Sequence, residues 1–359
     1  MELHGLTTLK LALYRLHLRS LEDVTLPLFL GSTLRGAFGH ALKKSVCLMR
    51  HRNCAQCLVA DQCIYPYLFE TPAPPEVLQL RGQQQAPHPF ILSPPILHQL
   101  DEDPRNSHTN SSPNATDDNT DSMDFIEAYI PSARHRHLVA GDEINFDLML
   151  IGRAIDYLPY VVFTVSEMAH TGLGVKRARF ELSSVEALTV AEPAETIYTK
   201  ESGRIAQHTS VASLAEMISL RLRELPPRDA LELKFLSPTR IRIDGEPQAR
   251  LDFYLLARNL LRRVSLLSAV HGDTTFAPDY ASLLTKASQI TTQAQGLRWW
   301  DWERYSNRQR MKIKMGGFVG PVRYAGESLE DFMPLVAAGE LLGIGAGTSF
   351  GLGKYQIVA

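Results

Sequence analysis

The chain has no run of eighteen uncharged apolar residues, so its sequence predicts no membrane-spanning helix. Its first ten residues, MELHGLTTLK, lack the charged-then-apolar order of a secretion signal. A soluble, cytoplasmic protein without membrane contact is expected. Cysteine is scarce: the 359 residues hold four, all between 47 and 63, so no disulfide framework can span the fold. There is no Walker lysine motif, no G-x-S-x-G elbow and no paired-histidine helix motif. Strong net charge is also lacking, at −2.

That near-neutral total conceals a division along the chain. Residues 101–124 carry seven acids and one arginine, a net of −6, which leaves +4 on the rest. This Asn/Ser/Thr/Asp-rich stretch holds too little apolar surface to offset its ordering entropy and reads as a disordered insertion. The alternative is an acidic segment that mimics RNA. Elsewhere, 45% hydrophobic residues overall support real cores, and the length suits two domains.

Thr8 to Arg19 alternates leucine with polar residues and predicts a strand, with Leu9, Leu11 and Leu13 on one face. Gly31-Ser32-Thr33 supplies a helix cap, and Leu34, Ala37, Phe38, Ala41 and Leu42 share one face of a helix running to Val46. A strand over 143–151, a helix over 157–170 and a strand over 177–188 follow. Leu225-Pro226-Pro227 reads as a linker, dividing the chain into 1–225 and 226–359. Beyond it the pattern predicts a strand over 231–243, helices over 251–270 and 280–292, a hairpin over 311–324 turning at Gly316-Gly317, a helix over 329–342 and a last strand over 355–358. Strand, helix, hairpin, helix, strand is the βαββαβ order of a ferredoxin-like unit. The expected class is α+β: two tandem ferredoxin-like (RRM-like) domains, the first interrupted by the cysteine segment and the acidic stretch.

Cys47, Cys54, Cys57 and Cys63 suggest a metal site in a cytosolic chain. Structural zinc on four thiolates is the leading expectation, because the C-x2-C pair can wrap one side of a tetrahedral ion and four protein ligands leave no open position. An iron–sulfur cluster competes, as do four reduced thiols packed as small hydrophobes.

Opposite the apolar stripe of the 34–46 helix lie Gly36, His40, Lys43 and Lys44, so His40 is expected to be exposed. An imidazole beside fixed positive charge can deprotonate a ribose 2′-hydroxyl or protonate a leaving 5′-oxygen, while lysine stabilises the phosphorane. The alternative is a surface histidine without a role.

Two glycine-rich runs could cradle phosphate. The terminal one holds Gly343, Gly345, Gly347, Gly351 and Gly353, followed by Lys354; it follows a helix and precedes a strand, the reverse of a dinucleotide-binding fingerprint. The other, His170 to Arg179, adds Lys176, Arg177 and Arg179 to Gly172 and Gly174, with a helix C-cap followed by a surface strand as its plainer reading. Arg298 to Lys314 interleaves three tryptophans with cations, a composition suited to single-stranded RNA. Arg308, Arg310, Lys312 and Lys314 are the expected RNA contacts there, with some tryptophans expected in the core.

Four passages together resemble the CRISPR-associated endoribonucleases of the RAMP superfamily that process precursor CRISPR RNA. They are GSTLRGAFGHALKKS from Gly31, the cysteine segment running into YPYLFE, YSNRQRMKIKMGGFVG from Tyr305, and GIGAGTSFGLGKY from Gly343. The resemblance implies two ferredoxin-like domains binding repeat RNA across a basic face. It also implies cleavage without a metal, leaving 2′,3′-cyclic phosphate and 5′-hydroxyl ends, to make guide RNAs for antiviral defence. His40 stands where the family often keeps its general acid or base; Gly39 stands where a tyrosine partner of relatives would be sought. Two other classes compete: a non-catalytic RNA-binding subunit of a CRISPR effector complex, and a redox-sensing iron–sulfur protein.

Overall fold

A computed structural model describes residues 4–49, 54–77, 80, 84–95, 135–189, 193–207, 210–226, 229–243, 245–306 and 311–358. The acidic stretch 101–124, Arg308 and Arg310 lie outside these residues, as do the side chains of Lys312 and Lys314.

The first half contains β1 (Lys10–Ser20), β2 (Val24–Pro27), α1 (Gly31–Val46), β3 (Phe90–Ser93), β4 (His135–Leu138), β5 (Glu143–Ile151), α2 (Leu158–Thr171), β6 (Phe180–Leu188), β7 (Glu195–Thr199), β8 (Val211–Ser213) and α3 (Leu214–Glu224). Its antiparallel sheet runs β3-β5-β1-β6-β7, with β8 also on β1. The second half contains β9 (Ala230–Thr239), β10 (Arg242–Ile243), β11 (Glu246–Pro247), α4 (Phe253–His271), α5 (Tyr280–Ala287), β12 (Thr291–Gln295), β13 (Arg298–Trp300), β14 (Glu303–Ser306), β15 (Met311–Lys314), β16 (Gly317–Ala325), α6 (Met333–Leu342) and β17 (Tyr355–Val358). Its sheet runs β12-β16-β9-β17. The protein is thus mixed α+β with antiparallel sheets. In both halves the first strand is central: β1 lies between β5 and β6, the strands either side of α2, and β9 between β16 and β17, the strands either side of α6.

Strand β1 shows how the halves join. Leu9, just before the strand, and Leu11 within it enter a core shared with Phe235, Leu260 and Leu335 of the second half, and Leu13 packs against that core. Ala12, Tyr14, Leu16 and Leu18 face a separate core closed by α1 and α2. Both faces are therefore apolar where they are covered. Beyond Leu13 the odd face turns polar: Arg15 pairs with Asp147 at 2.8 Å, His17 with Glu186 at 3.3 Å and Arg19 with Glu143 at 3.4 Å. The two leucine phases of this strand record where the second half ends.

Several local expectations change. Helix α1 begins at Gly31, so Ser32 and Thr33 lie inside its first turn and no side chain caps it. By contrast, α3 carries a reciprocal capping box between Ser213 and Glu216, and α4 starts on Asp252, whose Oδ1 accepts from Leu255 N at 2.7 Å. The 280–292 helix stops at Ala287, because Thr291–Gln295 pairs with β16 instead. Gly316-Gly317 does not turn a hairpin: β15 pairs with β14, while β16 pairs with β9, β12 and β13. A Cβ at Gly317 would lie 2.7 Å from the Thr239 backbone, so glycine there permits close strand approach. Helix α3, just before the expected linker, packs on α6 through the shared core, and Arg221 Nε donates to Glu340 Oε2 at 2.6 Å.

Among the described residues no helix is long and apolar enough to cross a membrane.

Candidate functional site

His40 is exposed on α1, as its helical position predicts, with Gly36 and Lys44 also exposed on that side. Among the described residues no side-chain hydrogen bond or ion pair joins His40 to Lys43, Lys44 or either glycine run. Lys43 bends away and places its Nζ 5.1 Å from the centre of the Tyr65 ring. Of the two lysines, Lys44 is the one left on the open face.

The opposite flank of α1 holds residues the sequence did not single out. Arg35 Nε donates to Ser349 Oγ at 3.0 Å, and its guanidinium lies 4.3 Å from the centre of the Phe350 ring. Its Nη2 is 3.1 Å from His88 Nε2. Arginine can only donate, so Nε2 accepts and the ring proton sits on Nδ1, which faces Thr71 Oγ1 at 2.8 Å. Burial and the Arg35 charge push the His88 pKa down from 6.5 to about 3, keeping the ring neutral. Near it, His271 Nε2 meets the Pro87 carbonyl at 2.7 Å, and burial lowers its pKa to about 4. A stripe one turn apart, Gly31, Arg35 and Gly39, was the available signal: a Cβ at Gly31 would meet Phe350 O at 2.0 Å, and one at Gly39 the Phe69 ring at 2.7 Å.

These two histidines give a pH dependence. Their folded pKa values lie below the unfolded 6.5, so the unfolded chain binds more protons in acid and stability falls as pH drops. The loss begins near 6.5 and continues toward 4 and then 3. Between pH 6.5 and 5 each is expected to remove up to about 2 kcal/mol. Urea midpoints measured across that range check this, and His88→Gln should flatten the slope.

The terminal glycine run packs closely against neighbouring backbone. Gly343, Gly351 and Gly353 are buried, and Gly345 and Gly347 are half-buried. Backbone N–H groups of Gly343, Gly351 and Gly353 donate to Gly339 O, Thr348 O and Pro238 O. Those of Ile344, Ala346 and Leu352 bond Gly353 O, Arg240 O and Gly347 O. The glycines admit close backbone contact. Gly353 has φ +74° with Ile344 O 1.8 Å from an added Cβ, and a Cβ at Gly351 would meet Leu92 O at 2.7 Å. The run wedges between α1 and β3 of one half and β9 of the other. Lys354 is withdrawn with it: desolvation lowers its pKa, and its charged neighbours include Asp147 and Arg15 at the junction of the halves.

The other run keeps its cations outside. Gly172 caps α2, with Leu173 bridging Ala178, so the plainer C-cap reading is correct for the backbone. Lys176 and Arg177 are exposed at the tip, whereas Arg179 Nε lies 3.6 Å from Glu22 Oε1. Trp302 packs 4.8 Å from Phe29, and Trp300 joins the same apolar cluster with Leu352; Trp299 is partly exposed.

The four cysteines are free and half-buried. Burial raises the Cys54 thiol pKa, with Lys43 opposing and Cys47 and Cys63 close enough to contribute. Yet among the described residues no group of three or more His, Cys, Asp or Glu is arranged to hold a metal ion. Thiolates suit zinc chemically, and the cleavage chemistry uses none.

Residues 9–210, more than half of the chain, match the family model for the AF_1859_N N-terminal domain, and residues 233–355 match that for the CRISPR-associated endoribonuclease Cas6. The chain is a CRISPR-associated protein of the Cas6/RAMP type. An uncharacterised protein of Archaeoglobus fulgidus is 23% identical over 360 residues, covering 98% of this chain and 97% of its own. Among solved structures, the product complex of a Thermus thermophilus Cas6 has TM-score 0.52 at 18% identity, over 97% of this chain and 99% of that one. A partial Cas6-RT-Cas1–Cas2 complex has TM-score 0.55 at 12% identity, over 98% of this chain and 46% of the other. At these identities the likeness establishes the Cas6-type fold of both halves together.

Proposed function

We propose that this Cas6/RAMP-type protein is an endoribonuclease that cuts precursor CRISPR RNA within the repeat. Each half is read as a ferredoxin-like unit, from the central position of its first strand. The reading rests chiefly on one observation: α1 presents His40 to solvent, with Lys44 one turn on, in a chain of this family.

The chemistry follows from those groups. The His40 imidazole takes the proton of a ribose 2′-hydroxyl or gives one to the leaving 5′-oxygen. The 2′-oxygen attacks the adjacent phosphorus, forming a 2′,3′-cyclic phosphate and expelling a 5′-hydroxyl. Lys44, with Lys43 nearby, stabilises the charge that builds on the phosphorane. The nucleophile belongs to the RNA, so neither water activation nor a metal is required by this scheme. Lys176 and Arg177, both exposed, would hold the backbone of the RNA, a sequence-independent and salt-sensitive contribution.

Incubation of the purified protein with its cognate repeat RNA in EDTA tests the proposal. Cleavage with cyclic phosphate at the new 3′ end is expected; binding with no cut under any condition would overturn it. That second outcome would favour a non-catalytic RNA-binding subunit, a reading supported by the lack of any described side chain that orients the His40 ring.

A further inference from the structure

A cavity of about 660 Å³ opens where the C-terminal end of α1, the cysteine segment and the first turns of α2 meet. Its volume falls within the range of small-ligand sites, about 300–1,000 Å³. Tyr160 and Phe163 line it, and they are 51% and 57% exposed although both are large aromatics. The thiols of Cys47, Cys57 and Cys63 form another part of the wall.

Two further observations point to an occupant with a polar edge. Gln62, exposed, and Ser45, exposed, supply polar groups at the edge. Cationic charge adjoins the site as well. Lys44 directly precedes Ser45, and Lys43 acts on Cys54 in the same segment. Ser45 lies five residues past His40, about 7.5 Å along the helix axis.

We propose that this cavity is a nucleobase pocket, seating one unpaired base of the bound RNA against Phe163 and Tyr160, with Gln62 and Ser45 meeting the base edge and Lys44 the adjoining phosphate. A nucleobase fits because its faces are apolar and its edges are not. The backbone charge beside it matches the lysines. The pocket rests on the RNA-processing reading, but it concerns binding and not the cleavage step.

The test uses the cognate repeat RNA carrying 2-aminopurine at one position at a time. Quenching or enhancement at a single position is expected on binding. Phe163→Ala and Tyr160→Ala should abolish that signal and weaken affinity about 5- to 150-fold, the size of one lost stacking contact. Both side chains are partly exposed, so melting temperatures should be nearly unchanged. Gln62→Ala is the second handle: Gln62 is exposed, so the variant should weaken RNA binding with an unchanged melting temperature, a combination that a packing role would not produce. His40→Ala should keep the fluorescence signal. Signal without cleavage by the parent protein would remove the nuclease reading and leave the pocket. Normal cleavage with no position-specific signal, or a signal and affinity unchanged in both aromatic variants, overturns the pocket. If those variants instead lose binding to a protein component of the CRISPR machinery while binding RNA normally, the patch is a protein-docking surface and the proposal fails.

Discussion

His40→Ala is expected to slow repeat cleavage by about 10²- to 10⁴-fold, the range supplied by a positioned general acid or base. Single-turnover cleavage in EDTA is the measurement, because it isolates the chemical step from product release. RNA affinity should change little: His40 is exposed, and its side chain makes no hydrogen bond or ion pair to described residues. The melting temperature should also stay put. Lys44→Ala should reduce the same rate constant by less, since Lys43 remains nearby, and its loss should also weaken binding in a salt-dependent way. Unchanged cleavage by His40→Ala would remove this mechanism while leaving the family assignment intact.

Gly31→Ala should destabilise the protein by about 2–3 kcal/mol, read from urea unfolding, although helix propensity alone argues for a gain of up to about 1 kcal/mol. The sign decides between a local and a tertiary role for this glycine. An added Cβ would lie 2.0 Å from Phe350 O and 2.7 Å from the Phe29 ring, and the first of these is backbone that cannot rotate away. Either α1 or the terminal glycine run must move. Because Arg35 ties α1 to Ser349 and Phe350, the displacement should also weaken the contact between the halves. Gly36→Ala provides the control within the same helix: nothing lies within 4 Å of its Cβ position, so it should stabilise by about 0.5–1 kcal/mol. If Gly31→Ala and Gly36→Ala behave alike, the glycine run is not docked on α1 as described.

Much of the fold was legible because burial leaves a period in the sequence. The α1 face with Leu34, Phe38, Ala41 and Leu42 is buried, and the opposite side with Gly36, His40 and Lys44 is exposed. The strand over 143–151 was legible for the same reason. Failures occurred where the partner lay far along the chain. Gly316-Gly317 looks like a turn locally, yet β16 was claimed by β9, whose residues lie more than seventy positions earlier. The helix expected over 280–292 lost its last turn to strand pairing. The close packing of the terminal glycine run, where the N–H groups of Gly343, Gly351 and Gly353 bond to neighbouring backbone, also left no local trace.

The candidate site divides the same way. The exposure of His40 on α1 was legible from helical spacing, since exposure on a helix face is a local property. Arg35 and His88 were not, although their chemistry is conspicuous once assembled. Helical period and turn chemistry therefore set the element order, the faces of α1 and the exposure of its histidine before any folding is considered. Tertiary structure alone decided that the glycine run closes the junction of the halves, that Arg35 reaches Ser349 across 314 residues of chain, and that α1, α2 and the cysteine segment enclose a cavity. The reason is physical: a side chain's periodicity reports which way it faces, whereas its partner is chosen by close packing between surfaces whose separation in sequence leaves no local trace.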